Sequence, residues 1–267
     1  MSCLPPHGRV SCTKCHGDSP VKFDETRRTD GEWRITANPL AWGNPNADIV
    51  VLGFSKGPTQ AGALASAPHD EIAYRGGRLA VGKILAHIGL IPEGDAASLR
   101  RMVDNLIAAR NGRFHFGSLV RCTVEKYDRK ADAWKGSGGG MLDKFVATPF
   151  GSEVTTRCTA TFLSGLPPQT KLVVMFGLGS RGNYVREAKR VISSVRPETW
   201  RDVNEVAYTD GKITVVHVEH FAAQGRLLPN WLGVNNHARA ALGLLAREAV
   251  EGVFIGGNRS DPLIKPI

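Results

Sequence analysis

The apolar run Ile-Val-Val-Leu at residues 49–52 constrains the fold of this chain more than any other segment. A continuous aliphatic run without alternation is typical of a strand that is buried on both faces, as in the interior of a parallel sheet. The run leads directly into a loop with two glycines, at residues 53–58. Because parallel strands deliver function at their carboxyl ends, we expect this loop to line a pocket.

Strand and helix patterns alternate along the rest of the chain. Helical spacing of apolar residues predicts helices at residues 79–88, 96–109, 153–166, 183–194 and 236–250. Short apolar segments predict further strands at residues 114–120, 171–176, 204–208 and 212–217, the last two flanking an Asp-Gly turn. This alternation predicts an α/β fold in one domain over residues 1–267, a three-layer sandwich with a mostly parallel central sheet flanked by helices.

Two segments lack a clear period. Residues 1–46 are rich in proline, glycine, threonine and charge, and we interpret them as an irregular arm. Residues 125–151 are polar and contain a Gly-Ser-Gly-Gly-Gly stretch, which predicts a flexible insertion. The lysines of this insertion are compatible with a DNA-contacting flap and equally with an ordinary solvated loop.

The charge balance favours a polyanionic partner. The chain has 34 basic and 25 acidic residues, a net charge of +9 and an isoelectric point near 9.5. Such a surface favours DNA or RNA, although many basic proteins bind neither. The sequence shows no signal-peptide pattern and no apolar run of membrane-spanning length, so we expect a cytoplasmic protein without membrane contact.

The cysteines suggest a metal or cluster site. Cys12 and Cys15 form a C-x-x-C pair in the arm, Cys122 follows a predicted strand, and Cys158 lies on a predicted helix. Four thiolates in this arrangement suit an iron–sulfur cluster or a structural zinc, and incidental cysteines remain an alternative. The C-x-x-C-H pattern of haem attachment is also present, but that chemistry usually follows export. Cys3 has no partner in any of these interpretations.

These features together resemble the iron–sulfur uracil-DNA glycosylases. The resemblance consists of the cysteine pair, the Asp-Ile-x-x-x-Gly strand and loop, the strand ending in Val-Arg-Cys, the helical cysteine and a late strand ending in histidine, over about residues 12 to 245. It implies a structural [4Fe–4S] cluster on Cys12, Cys15, Cys122 and Cys158, and we expect a monomer. The spacing between Cys122 and Cys158 is longer than usual, because of the glycine-rich insertion.

The resemblance also implies a base-binding loop. Gly53, Phe54, Ser55 and Gly57 occupy the place of the family's first motif, whose backbone faces the extruded base. Many members carry a carboxylate or an amide where this chain has Phe54, so it looks closer to the iron–sulfur branch often called family five, within the family four/five group. The nearest acids to take over a catalytic role are Asp70 and Glu71, although loop acids are usually only solvated.

Further residues carry over by position. Tyr74 lies where the family usually has a stacking phenylalanine, and Ser118 lies where many relatives have an asparagine that reads the pyrimidine edge. His220 ends the last strand and would donate to the leaving base, with His217 as the alternative. The following loop would enter DNA through Arg226, Leu227 and Leu228.

The resulting expectation is a monofunctional uracil-DNA glycosylase. It would extrude uracil or a related deaminated base from DNA and hydrolyse the N-glycosidic bond, leaving an abasic site. The alternative is a non-catalytic member of the same fold that binds damaged or abasic DNA. Phe54, Ser118 and the absence of the usual Pro-Ser after His220 favour that alternative.

Overall fold

The computed structural model describes residues 4–17, 20–136, 141–179, 183–223 and 225–255, with the side chain of residue 255 left aside. The strands within these ranges are β1 (Gly8–Arg9), β2 (Arg27–Asp30), β3 (Trp33–Thr36), β4 (Leu40–Gly43), β5 (Ile49–Gly53), β6 (Phe114–Ser118), β7 (Thr123–Asp128), β8 (Ala133–Gly136), β9 (Leu172–Phe176), β10 (Arg201–Asn204), β11 (Ala207–Thr209) and β12 (Thr214–Val218). The helices are α1 (Pro58–Gly62), α2 (His69–Ile72), α3 (Arg78–His87), α4 (Ala96–Ala108), α5 (Leu142–Val146), α6 (Pro149–Phe162), α7 (Asn183–Val195), α8 (Leu227–Trp231) and α9 (Ala240–Ile255).

The main sheet is mixed and has a parallel centre. Among the described residues eight strands run in the order β1-β4-β6-β5-β9-β12-β11-β10. The four central strands β6, β5, β9 and β12 are parallel, and antiparallel strands extend the sheet on both sides. Every residue of β5 is buried, as a strand in the middle of a parallel sheet requires. The expected α/β class with a parallel sheet centre is therefore confirmed.

All five predicted helices are present: the bounds of α3, α4 and α7 agree within one residue, whereas α6 and α9 are displaced by four to five residues from the predicted 153–166 and 236–250. Asp95 caps α4 by accepting a hydrogen bond from the Ser98 N–H at 2.7 Å, and Thr148 caps α6 in the same way through the Gly151 N–H at 3.0 Å. The Asp-Gly turn is also present, since β11 and β12 form an antiparallel hairpin in which Gly211 has a φ of +85°. No helix within the described ranges is both long enough and apolar enough to cross a membrane.

The arm and the insertion contain more structure than the sequence predicts. Strands β2 and β3 of the arm pair with β7 and β8 of the insertion to form a second, four-stranded antiparallel sheet. Arg34 and Glu125 face each other in this sheet and form a bidentate ion pair at 2.7 and 2.8 Å. The prediction of an irregular arm and a patternless insertion is therefore wrong over these strands and over α5. The central glycines of the insertion, residues 137–140, lie outside the described residues.

Candidate functional site

The four cysteines singled out by the sequence line one cavity. Cys12 and Cys15 come from the arm, Cys122 follows β6, and Cys158 lies in α6. All four are free thiols, and Cys15 and Cys158 are buried. The fold thus brings together residues that are up to 146 positions apart in the sequence. We call this site the cysteine cavity.

Helix α6 holds the arm against the cysteine cavity. Arg28 donates two hydrogen bonds to Glu153 of α6, both at 2.9 Å, and a third to the carbonyl oxygen of Cys15 at 3.1 Å. Arg157, one turn further along α6, donates to the carbonyl oxygen of Lys14 at 2.8 Å. Because a bidentate arginine–carboxylate pair is directional, these contacts fix the C-x-x-C turn in place.

Positive charge and hydrogen-bond donors surround the cysteine cavity. Lys56, from the loop after β5, is only 2% exposed, and its ammonium group donates to the carbonyl oxygen of Arg121. The backbone N–H of Arg121 lies 3.3 Å from the Sγ of Cys158 and donates to it. Burial lowers the pKa of Lys56 to about 8, while the nearby Cys122 and Cys158 favour its charged form. The cavity therefore suits a ligand of net negative charge.

The sulfur atoms are spaced more widely than the ligands of a single zinc ion. A tetrahedral zinc site with Zn–S bonds of about 2.3 Å requires sulfurs about 3.8 Å apart. Among the described side chains, three ligand atoms lie within 4.8 Å of one another only at His7, His69 and Asp70. Burial, followed by the neighbouring cysteines, raises the pKa of Cys15 to about 12, and burial raises that of Cys158 to about 12.

Three predicted residues lie at the carboxyl ends of the central parallel strands. Gly53 at the end of β5 is the register partner of Ser118 at the end of β6. Phe176 and Val218 end the two neighbouring strands in register, and His220 follows two residues later. The loop after β6 is held to the loop after β5 because Leu119 and Val120 donate to the carbonyl oxygens of Gly53 and Phe54 at 2.8 and 2.9 Å. The first-motif loop and Ser118 thus form one edge.

The side chains of the first-motif loop point into the protein. Phe54 is 6% exposed and packs edge-on against Phe145, with ring centroids 5.8 Å apart. The hydroxyl of Ser55 accepts a hydrogen bond from the Val124 N–H at 3.3 Å, and Gly57 is the N-cap residue of α1. The expected contact of Phe54 with a base is thus limited to its backbone, since its ring belongs to the core.

Tyr74 lies in a cluster of aromatic rings. Its ring meets those of Phe116, Phe176 and Phe221 edge-on, at centroid distances of 5.9, 5.6 and 5.1 Å. It is 4% exposed, its φ of +51° is unusual for a bulky residue, and its buried hydroxyl has no hydrogen-bond partner among the described residues. Burial raises the pKa of this hydroxyl. We call these four rings the aromatic cluster; within it Tyr74 has no open face for stacking on a base.

His220 lies next to the aromatic cluster, and a hydrogen bond to one of its ring nitrogens determines its tautomer. Its Nδ1 accepts a hydrogen bond from the Ala222 N–H at 3.1 Å, so the neutral ring carries its proton on Nε2. The ring stacks on Phe221 at a centroid distance of 4.6 Å. Burial lowers the pKa of His220, although Glu219 opposes this effect. The ring is therefore a neutral N–H donor at neutral pH.

His217 is engaged elsewhere. It is fully buried, its Nδ1 lies 2.9 Å from the carbonyl oxygen of Gly177, and its Nε2 lies 3.4 Å from the hydroxyl of Tyr208. Burial lowers its pKa to about 4. His217 therefore supports the sheet from inside, and His220 is the histidine that can reach a ligand.

The two candidate acids lie apart from these residues. Asp70 Oδ1 is 2.8 Å from Nε2 of His7, whose Nδ1 accepts from the Gly43 N–H at 3.2 Å. Glu71, the neighbouring residue of α2, is exposed. Neither side chain contacts Tyr74, Ser118 or His220 within the described part of the chain. The structure thus places Asp70 against the arm rather than in the candidate pocket.

The predicted DNA loop divides between surface and core. Arg226 is exposed and Leu227 is 47% exposed, whereas Leu228 is only 4% exposed and belongs to the core. A wedge between bases must project from the surface, so the expected role for Leu228 is wrong and Leu227 is the available leucine. Gln224 of the same loop lies outside the described residues.

Two contacts at His220 were not predicted from the sequence. Glu219 is buried, accepts a hydrogen bond from the backbone N–H of His220 at 2.9 Å and forms an ion pair with Arg239. Arg239 comes 20 residues after Glu219, so the sequence contains no local signal for this pair. Together they hold the end of β12 in one conformation.

No protein-family model matches this chain, and no curated protein matches it.

Proposed function

We propose that this protein is a DNA glycosylase that removes uracil, or a related deaminated base, and leaves an abasic site. The observation that supports the proposal is that Gly53, Ser118 and His220 end or follow parallel strands at one edge of the sheet, in a chain whose four candidate cysteines line one cavity. The net charge of +9 suits a DNA partner. We infer further a three-layer arrangement of the helices about the sheet and a monomeric, cytoplasmic protein.

The residues of the cysteine cavity fit a [4Fe–4S] cluster better than a zinc ion. Cys12, Cys15, Cys122 and Cys158 would hold it, since their sulfurs surround one cavity without closing on a single ion. A cluster with four thiolate ligands is anionic, which suits the buried Lys56 and the N–H donor of Arg121. When bound, the cluster would join the arm to β6 and α6 as a structural link.

His220 would stabilise the departing base. Cleavage of the bond between base nitrogen and sugar carbon leaves the electron pair, and thus negative charge, on the base oxygens. A neutral Nε2–H directed at such an oxygen gains strength as that charge develops. The hydrogen bond from Ala222 to Nδ1 fixes this tautomer, and the Phe221 stack limits rotation of the ring. Water adds to the sugar carbon and loses its proton to solvent or to a nearby acid.

Ser118 would read the edge of the base. Its hydroxyl is both a donor and an acceptor, and it stands beside the first-motif loop. An asparagine amide presents a donor and an acceptor in fixed positions, whereas a hydroxyl rotates. We therefore expect a broader range of deaminated bases than strict recognition of uracil alone.

A direct test is excision by purified, iron-loaded protein. Single- and double-stranded oligonucleotides with one uracil, hypoxanthine or xanthine are incubated with the protein, and free base and alkali-labile sites are measured. We expect release of uracil in at least one strand context. Intact substrate in all of them, where a known glycosylase cuts, would contradict the proposal.

A non-catalytic DNA-binding protein is the second candidate, and a specific observation favours it. Tyr74 and Phe54 are packed into the core, and Asp70 is paired with His7, so none of these three side chains is presented to a bound base. Such a protein would bind abasic or uracil-containing DNA more tightly than undamaged DNA and would release no base. Binding and excision measured on the same oligonucleotides separate the two candidates.

A further inference from the structure

A second cleft opens beside the candidate base site. It lies between the start of α3 and the segment of α8 and the residues after it, and its volume is about 580 Å³. Leu79, Leu232 and Val234 contribute apolar surface, while Lys83 and Arg100 contribute positive charge. We call it the α3–α8 cleft. The function proposed above does not use it.

The cleft carries uncompensated positive charge. Lys83 and Arg100 are exposed, and neither has an ion pair among the described residues. The third cation of the lining, Arg78, is paired with Asp104. No carboxylate belongs to the described lining of the cleft.

The apolar part of the cleft is unusually exposed. Val234, which lines the cleft, is 72% exposed, and Leu227, which lies next to the lining residue Leu228, is 47% exposed. Only Val203 and Leu244 among the other described residues are large hydrophobic side chains of comparable exposure. Since exposed apolar surface beside unpaired cations suits a ligand with both an apolar face and a negative charge, it matches a nucleotide unit.

The cleft adjoins His220 through a close backbone approach. A Cβ on Gly77 would lie 2.6 Å from the ring of Phe221, which in turn stacks on His220. Gly76, the preceding residue, lines the cleft. A DNA strand whose extruded base lies at His220 therefore passes the mouth of the cleft with its next nucleotide.

We propose that the α3–α8 cleft binds the nucleotide that flanks the extruded base in the same DNA strand. Its phosphate contacts Lys83 and Arg100, and its base or sugar lies on Leu79, Leu232 and Val234. This inference depends on the proposed function only in needing DNA at His220. It predicts that single-stranded DNA fills the site, because an unpaired flanking nucleotide is free to enter a cleft.

The experiment measures how protein variants bind oligonucleotides of different lengths, so that the two changes can be compared separately and together. Single-stranded oligonucleotides with one non-hydrolysable uridine carry zero to four nucleotides on either side, and dissociation constants are measured by fluorescence anisotropy. For the unmodified protein, removal of the flanking nucleotide weakens binding by about 5- to 30-fold. The variant Lys83→Gln/Arg100→Gln binds the longer oligonucleotide about 5- to 30-fold more weakly than the unmodified protein does. Truncation of the oligonucleotide lowers the affinity of this variant only slightly. Its salt dependence falls by about 0.7 in logarithmic slope, because the two cations contact one phosphate.

A matched control removes the same charge from the opposite edge of the sheet. Lys171 precedes β9 and Lys212 precedes β12, and both are exposed. The Lys171→Gln/Lys212→Gln protein should respond to truncation as the unmodified protein does. Val234→Asn should weaken binding of the longer oligonucleotide without changing the salt slope.

Each outcome decides for or against the cleft. Equal losses on truncation in the unmodified protein and in the Lys83/Arg100 variant overturn the proposal, as do equal losses of affinity in that variant and the control. If uracil is released but truncation has no effect on binding, the glycosylase proposal stands and nucleotide binding at the α3–α8 cleft is excluded. Length-dependent binding without uracil release supports the cleft in a non-catalytic binder. Absence of DNA binding overturns both proposals.

Discussion

The cysteine cavity and the aromatic cluster both include a residue in or just after β6, yet they are built in opposite ways. The cavity is lined by thiols and surrounded by buried cations and N–H donors, which suits a charged ligand. The aromatic cluster is filled by its own rings, and the buried hydroxyl of Tyr74 has no hydrogen-bond partner among the described residues. The proposed cluster would therefore meet thiols at the first site, whereas the proposed base would enter the second only after its rings had moved.

The largest effect is expected for loss of a cysteine. In Cys158→Ser we expect iron and sulfide per chain to fall to nearly zero and the broad visible absorption to disappear, because three thiolates and a hydroxyl hold a cluster poorly. Cys3→Ser is the control, and its iron content should be unchanged. Iron analysis and absorption spectra measure the effect. Equal iron in the two variants would contradict the assignment of the cavity.

Removal of the His220 ring should affect catalysis and leave the cysteine cavity intact. In His220→Ala we expect kcat to fall by about 10²- to 10³-fold with a smaller change in KM, because the lost hydrogen bond is strongest in the transition state. His220→Gln keeps an N–H donor and should recover part of the rate. Single-turnover kinetics measure this effect, with iron content as a check. An unchanged rate in both variants would exclude His220 from the chemistry.

The pH dependence of stability tests whether His217, which is buried in the main sheet, stays neutral in the folded protein. The pKa of His217 is about 4 in the folded protein, against about 6.5 in an unfolded chain. The unfolded state therefore binds a proton below pH 6.5 that the folded state does not, and stability falls as the pH falls until it levels off near pH 4. At pH 5 the contribution of His217 to this loss is about 2 kcal/mol.

The measurement compares urea unfolding of the unmodified protein and of His217→Asn at pH 7 and pH 5. The variant is expected to lose about 2 kcal/mol less than the unmodified protein over this interval. Identical losses would mean that His217 does not remain neutral in the fold.

The smallest effect concerns the hydroxyl of Tyr74. Because a buried donor without a partner costs about 1 to 3 kcal/mol, Tyr74→Phe should be more stable by about 1 kcal/mol. Urea unfolding measures this change, and base binding by the same variant shows whether an entering base uses the hydroxyl. A destabilised variant would mean that the hydroxyl has a partner, and the aromatic cluster would then be as well satisfied as the cysteine cavity.

The arrangement of the central strands was predictable, because a single sequence pattern indicates it. The uninterrupted apolar runs of β5 and β9 identify buried strands, and parallel strands place Gly53 and Ser118 at one edge. The second sheet was not predictable, because β2 and β3 have four residues each and Arg34 finds its partner, Glu125, 91 positions later. Short charged strands have too little apolar period to be distinguished from a loop.

Side-chain roles in the site were less predictable for a related reason. Leu227 and Leu228 are adjacent, and only the orientation of the short helix α8 decides which one is buried. Likewise, Asp70 forms its ion pair with His7 of the arm, and no pattern near α2 in the sequence indicates this partner. Fold class and the cysteine set follow from spacing, whereas the catalytic acid depends on contacts between distant segments.

The sequence separation of the cysteines determines when each of them is synthesised during translation. Cys158 follows Cys15 by 143 residues. At about 5 to 20 residues per second, the ribosome delivers it about 7 to 29 seconds after the first pair. Throughout that interval the arm thiols have neither α6 nor the main sheet to cover them. The proposed cluster would therefore have to be inserted after translation, by a donor that acts on the nearly complete chain.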